Sequence, residues 1–301
     1  AIQHIVGCQI STTPFITKIL TVLALRDEDF TYRIPTKPQF EYEPYDGASI
    51  VIDETGVHNS VGIFDIKAMY HSNVELHNIG HETLDVNGKD CGNGISFRQG
   101  KPSLLLRQMN KMTVLREQYK RKMKDARNIE ERNRYEALQF ATKTLVASLY
   151  GAAGDSRYGL YHPKVAAAIT FTSRQTLDRL REECEQQGCK VEIATPEMGQ
   201  SLVKIINENM KPIITEFEKW CPSMLLKSKN RYAALVSWTD GAYHSPELYI
   251  KGIETKQARM FPVVKDVLSF TIESILKGQE EDGVTAKIVN IIEEIYDKKY
   301  P

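Results

Sequence analysis

"GIFDIKAMYHS" (residues 62–72) is the stretch on which the fold reading turns. A short apolar run, Gly62-Ile63-Phe64, ends in a single carboxylate, Asp65, and five residues later comes Tyr70. The wider segment "ASIVIDETGVHNSVGIFDIKAMY" (48–70) reads as strand, turn at Glu54–Gly56, then strand, with β-branched residues on both sides of the turn. A carboxylate at the end of a buried strand is costly unless something uses it. Asp65 is therefore expected to hold a ligand, and its partners are sought in the rest of the chain.

The 301 residues suffice for one large domain or two to three smaller ones. A hydrophobic content of 42% and a charged content of 26% are those of an ordinary globular chain. No apolar run approaches the ~18 residues of a membrane span. The N-terminus "AIQHIVGCQIS" has no basic region followed by an apolar core, so it does not read as a signal peptide, and it carries no initiator Met. The five cysteines are scattered, and the Cys184/Cys189 pair has no second pair or His nearby. Reduced thiols in an intracellular protein are expected, not a zinc site. Basic and acidic residues balance at 39 each, yet residues 101–134 hold eleven Lys/Arg against four acids. That local excess of seven marks a basic segment against an acidic remainder.

Along the chain, "ITKILTVLAL" (16–25) has helical spacing, and "RIPTKPQFEYEPYDG" (33–47) reads as an extended surface linker. "HETL" (81–84) and "NGKDCGNG" (87–94) read as polar, turn-rich segments. Leu105, Met109, Met112, Leu115, Tyr119 and Met123 recur at three- and four-residue steps, predicting a helix from Pro102 to about Ala126. Tyr135, Leu138, Ala141, Thr142, Leu145 and Leu149 predict a second, from about Ile129 to Tyr150. The short polar turn between them makes a helical hairpin. The glycines of "GAAGDSRYG" (151–159) break that helix; another follows over 163–188, ending at Gly188. "CKVEIAT" (189–195) reads as a strand and "EMGQSLVKIINENMKPIITEFEKW" (197–220) as a helix. "YAALVSWTDGAYHSPELYIKG" (232–252) reads as a hairpin turning at Asp240–Gly241, and the tail over 257–299 as helical. The order is α+β, a sheet domain interrupted by a helical hairpin.

These residues resemble a family. "FDIKAMYHSNVELHNIGHETL" is similar to the first motif of family B DNA polymerases, D-x-x-S-L-Y-P-S, a strand leading into a helix. "LREQYKRKMK" resembles their fingers helix with its R-x-x-x-K pair, and "KTLVASLYGAAGDSRYGLYHPKVAAAIT" their K-x-x-x-N-S-x-Y-G motif. "KNRYAAL" resembles the K-K-R-Y motif, and "YIKGIETKQARMFPVVKDVL" the segment that opens the thumb. Five motifs stand in family order. The resemblance implies an antiparallel palm sheet interrupted by a fingers hairpin: palm and N-terminal segment over 1–100, fingers over 101–152, palm again over 153–252, and the start of a thumb over 253–301. The N-terminal and exonuclease domains of a full-length enzyme lie outside the resemblance.

Nucleotidyl transfer uses two Mg2+ ions held by carboxylates that meet at one point. The resemblance implies that Asp65 is a metal ligand and that Tyr70 stacks on the incoming sugar. It makes Arg116 and Lys120, one helical turn apart, a triphosphate-binding pair, with Lys143 and Tyr150 completing the nucleotide site. Lys229, Arg231, Tyr232 and Lys251 correspond to positions that track the primer–template phosphates. Three positions depart from the pattern. Ala68 and His71 replace Ser and Pro of the first motif, removing a donor and loosening the turn. Ala147 replaces the second-motif Asn. Where the family has Y-G-D-T-D-S, this chain reads Ile193-Ala194-Thr195-Pro196-Glu197, so that only Glu197 offers a carboxylate. The expectation is an intracellular polymerase-like module, impaired or inactive in nucleotidyl transfer. It would act as a structural or primer–template-binding subunit beside other protein subunits, with no membrane association. The alternative is an active polymerase using dNTP and Mg2+, with its second ligand from Glu197 or another chain.

Overall fold

The computed structural model describes residues 40–47, 54–156, 161–189, 195–228, 231–253 and 261–296. In chain order the elements are β1 (Gly56–Ile66), α1 (Met69–His77), β2 (Leu84–Asp90), β3 (Ser96–Phe97), α2 (Leu104–Lys124), α3 (Ile129–Ala153), α4 (Pro163–Gln186) and α5 (Pro196–Asn209). Then come β4 (Thr215–Ser228), β5 (Arg231–Thr239), β6 (Ala242–Lys251), α6 (Pro262–Leu276) and α7 (Glu281–Tyr296). They divide into two compact units. One draws on Ala1–Ala48 and Ala68–Asp178, the other on Ser49–Lys67 and Arg179–Pro301. The expected helix at 16–25 and most of the expected strand at 189–195 lie outside the described residues, as does Lys229.

The first unit is built on the helical hairpin that the periodicity predicts. Ser103 caps α2 by accepting from the Leu106 N–H, and Asn128 caps α3 by accepting from the Glu131 N–H. Helix α3 runs through Gly151 to Ala153, slightly beyond the predicted end at Tyr150. Leu106, Met109, Leu149 and Ala153 close one core with Val74, Ile79, Phe97, Val165 and Ile169. Asn78, left-handed at φ 52°, ties the loops around it. Its amide donates to the carbonyls of Arg98 and Lys101 and accepts from the Ser103 N–H. Of the segments expected as turns, 81–84 and 87–94, Leu84 and residues 87–90 belong to strand β2, which pairs with β3. Gly88 allows it, since a Cβ there would stand 2.4 Å from the Phe97 carbonyl carbon. His71 does not loosen a turn: it lies within α1 and bonds Asn110 of α2 at 2.6 Å.

The second unit is a four-stranded antiparallel sheet in the order β1-β4-β5-β6. The predicted hairpin at Asp240–Gly241 is present: Thr239 pairs with Ala242, and both turn residues have positive φ, 52° and 88°. That is the two-residue turn whose twist suits paired strands. The expected helix over 197–220 is corrected: α5 stops at Asn209 and β4 begins at Thr215. Pro212 has no N–H for a helix ladder, and the β-branched Ile213, Ile214 and Thr215 after it favour extended backbone. Helix α5 packs through Leu202, Ile206 and Met210 against Phe64 and Phe217. Helix α6 packs Ile272 and Leu276 against Ala233, Leu235 and Ile250.

Gly199 of α5 lies against Phe217, where an added Cβ would stand 2.6 Å from the ring. Gly199→Ala is expected to lower stability by about 1–3 kcal/mol through overpacking. Gly283→Ala, with nothing within 4 Å of the new methyl, is expected to raise it by up to about 1 kcal/mol. Urea unfolding compares the two. In the first unit His81 is pushed down to about 4, first by burial and then by His162, whose ring centroid is 5.8 Å away. The unfolded chain then binds the proton more tightly, so the contribution of neutral His81 is full above pH 6.5 and is lost as pH falls towards 4. His81→Gln is expected to flatten the stability profile over that window, measured as the difference from the unsubstituted chain.

Candidate nucleic-acid and metal site

Register builds the candidate site in the second unit. Phe64 pairs with Phe217, their rings 5.4 Å apart, and both lie under α5. The next pair along is Asp65 and Glu216. Side chains alternate along a strand, so these two carboxylates share the sheet face turned away from α5. Asp65 is exposed, not buried as the apolar run before it suggested. A bulge between Ile63 and Phe64 leaves Glu218 out of register beside the pair. Bulges of this kind re-aim side chains near functional sites. Like charges directly opposite on neighbouring strands repel by a few tenths to about 1 kcal/mol. Lys67, 3.8 Å from Glu216, offsets part of this, but both side chains are more than half exposed and such a pair is weak.

The same face continues inward. Val61 and Ile63 cluster with Cys221, Met224, Ala234, Val236, Tyr232 and Tyr249. Tyr232 and Lys251 stand directly opposite each other, with the ammonium 5.7 Å from the ring centroid. Lys219 lies 5.1 Å from the Tyr249 centroid. Burial, then Tyr249, pushes the Tyr232 hydroxyl up to about 12, so it stays a neutral donor. Arg231 is exposed at the start of β5. The face thus carries two carboxylates at one end and alternating cations and tyrosine rings along its length.

The contacts of Glu197 are those of a helix start and of β6. Thr195 caps α5, its hydroxyl accepting from the Met198 N–H, and Pro196 takes the first turn. Glu197 accepts from the Tyr243 hydroxyl at 3.0 Å through both carboxylate oxygens. Tyr243 pairs with Trp238, whose ring is 5.0 Å from that of Phe217. Glu197 therefore belongs to the α5 side of the sheet, opposite the Asp65–Glu216 pair. Its carboxyl is held below the usual range by its own backbone N–H, then by Tyr243 and Thr195. A helix N-terminus favours a carboxylate on electrostatic grounds alone.

In the first unit, Tyr70 of α1 stacks on Tyr150 of α3, with centroids 4.4 Å apart and planes at 19°. Tyr45 hydrogen-bonds Tyr150, and Gly154 leaves it room, since a Cβ there would overlap the Tyr45 hydroxyl. Burial, then Tyr45 and Tyr70, raises the Tyr150 hydroxyl well above the ordinary value. Arg116 and Lys120 are half-buried on α2. Lys120 is engaged by Glu117 at 2.9 Å, while the Arg116 Nε is buried without a hydrogen bond. Lys143 and Ala147 are exposed on the α3 flank that leads, two turns on, to Tyr150.

Glu216 and Lys219 escaped the sequence reading because β4 was taken for helix; a period of two in "TEFEKW" (215–220) was the available signal. Tyr45 lay in a segment read as linker. The Asp65–Glu216 donor set fits a hard divalent cation, which takes oxygen ligands and keeps several waters. Among the described residues no group of three or more His, Cys, Asp or Glu gathers around one point.

The DNA polymerase family B model matches the chain in two segments, residues 15–196 and 188–300. They overlap over the stretch aligned with the third motif. DNA polymerase 1 of Pyrococcus abyssi (strain GE5 / Orsay) is 25% identical over 287 residues, 88% of this chain and 36% of its own length. DNA polymerase of Archaeoglobus fulgidus is 26% identical over 285 residues, 88% of this chain and 35% of its own. The DNA polymerase delta catalytic subunit of Drosophila melanogaster is 21% identical over 324 residues, 92% of this chain and 30% of its own. The chain thus spans about a third of the length of these relatives. The family B DNA polymerase structure from Pyrobaculum calidifontis matches with a TM-score of 0.64 at 19% identity, over 96% of this chain and 38% of that one. The α+β fold is that of a family B polymerase, and the family model covers nearly the whole sequence: the chain belongs to DNA polymerase family B.

Proposed function

We propose that this chain is a palm-and-fingers module that binds primer–template DNA and is impaired in its own nucleotidyl transfer. The observation that carries this is Thr195-Pro196-Glu197, which starts and caps a helix where the family's third motif would present aspartates. The domain limits proposed from the motifs are palm over 1–100, fingers over 101–152, palm over 153–252 and the start of a thumb over 253–301. Duplex phosphates lie along Arg231, Tyr232, Lys251 and Lys219, and Lys229, outside the described residues, is proposed for the same role from its motif alone; ammonium groups over tyrosine rings favour a polyanion without sequence readout. Arg116, Lys120 and Lys143 face a triphosphate, and the Tyr45–Tyr150–Tyr70 stack holds Tyr70 rigid against the sugar. Asp65 and Glu216 would hold Mg2+, which supplies charge neutralisation at the transferred phosphate. Other subunits and an intracellular setting belong to the same reading. No helix among the described residues is long and apolar enough to cross a membrane.

A second reading, an active polymerase using dNTP, is favoured by the Asp65–Glu216 pairing, in which Glu216 and not Glu197 supplies the second carboxylate. Primer extension with Mg2+ or Mn2+ tests the two. The impaired reading expects background extension that Asp65→Ala leaves unchanged. Metal-dependent extension abolished by Asp65→Ala and by Glu216→Gln, but retained in Glu197→Gln, would establish the second reading and overturn the first. Binding to primer–template DNA is expected in either case, weakening steeply with salt. Lys219→Ala and Lys251→Ala should each reduce the log–log salt slope by about 0.9; unchanged slopes would remove this face from the interface.

A further inference from the structure

The C-terminus of α4 carries an arrangement that polymerase chemistry does not use. The Cys189 N–H donates to the Cys184 carbonyl at 3.0 Å, and the Gly188 N–H to the Glu185 carbonyl at 3.0 Å. Gly188 has φ +77°. This is the Schellman closure of a helix, which brings the residue at each end of the longer bond into side-chain contact. Here both of those residues are cysteines. Bond lengths of about 1.5 Å and 1.2 Å on the carbonyl side and about 1.5 Å on the amide side, added to the 3.0 Å hydrogen bond, limit the Cα–Cα separation to about 7 Å. Bending at the oxygen shortens it into the disulfide range of about 4.4–6.8 Å. Both side chains are half-buried and pack on the same patch, formed by Leu202, Ile206 and Met210. Both are thiols in this structure.

We infer that Cys184 and Cys189 are a disulfide-forming pair, oxidised by exchange with a small-molecule disulfide such as oxidised glutathione to give a covalent clasp across the end of α4. The thiolate of one cysteine attacks a glutathione sulfur and releases one glutathione thiol. The second cysteine then attacks the mixed disulfide and releases the other. Two cysteine thiols and one disulfide thus become one protein disulfide and two glutathione thiols. The short spacing, with four intervening residues, keeps the second thiol at the mixed disulfide once it forms. Burial raises both thiols, Cys184 to about 11 with Cys189, Glu183 and Glu185 adding to the effect. Exchange is therefore slow at neutral pH and speeds up about tenfold per pH unit towards pH 9, as the thiolate fraction grows. Cys91 and Cys221 are fully buried in separate cores and lie apart from this chemistry.

The test is incubation of the reduced chain with oxidised glutathione at pH 8.5, followed by alkylation and peptide mapping by mass spectrometry. The expected result is a peptide or peptide pair containing Cys184 and Cys189 that has lost two hydrogens and resists alkylation. The melting temperature should rise by roughly 4 °C, the gain from closing a short loop. Cys184→Ser should stop at the mixed disulfide on Cys189. Both thiols remaining alkylatable, or glutathione adducts accumulating on the unsubstituted chain without ring closure, would overturn the inference. The mapping needs no variant, so a substitution that fails to fold does not decide the matter.

Discussion

Phe217 sets the direction of everything on β4. Its ring meets Gly199, Phe64 and Trp238, so it must point towards α5. With a side-chain period of two, Glu216 must then point the other way, and its partner Asp65 with it. A slip of β4 by one residue would turn Glu216 under α5 and expose Phe217, which the cost of burying charge opposes. The site in the second unit is therefore a consequence of packing on the opposite face. The carboxylate pair needs no dedicated scaffold beyond the aromatic contact that fixes the register.

The same logic separates Glu197 from Asp65. Glu197 has two sufficient structural reasons to be where it is: the first turn of a capped helix, and the hydroxyl of Tyr243. Both are satisfied on the α5 side. A residue aligned with a motif position can thus owe its place to ordinary capping forces. Glu216 has the opposite character. Its register puts it against a like charge, and the exposed Lys67 compensates only in part. A local conflict of that kind is a better pointer to a ligand than a motif match is.

Legibility in the sequence followed the strength of each local signal. The α2–α3 hairpin was legible because its apolar stripe repeats over many turns and each helix opens on a capping residue, Ser103 or Asn128. The β5–β6 turn was legible because Asp-Gly supplies two positive φ angles. Strand β4 was not. In "IITEFEKW" (213–220) the apolar positions Ile213, Phe217 and Trp220 fall at helical steps, while Thr215, Phe217 and Lys219 fall at strand steps, and the preceding helix tilted the reading. Only tertiary packing decided between the two periods. The contacts of Tyr45 and His71 were invisible for another reason: their partners Tyr150 and Asn110 are distant in sequence, and nothing local marks them.

In the first unit the candidate residues differ in how far the fold has already committed them. Tyr70 and Tyr150 are stacked, and Tyr45 closes the set by a hydrogen bond, so their geometry is fixed before any ligand arrives. Such pre-organisation lowers the ordering cost of binding. Lys120 is held by Glu117 and must exchange that partner to meet a phosphate, whereas Arg116 has an Nε that makes no hydrogen bond within the described structure. A buried donor without a partner costs about 1–3 kcal/mol, and an incoming anion that satisfies it recovers part of that cost. Of the two basic residues one helical turn apart, Arg116 is therefore the one whose environment asks for an anion, and Lys120 the one that can give up its present partner at little cost.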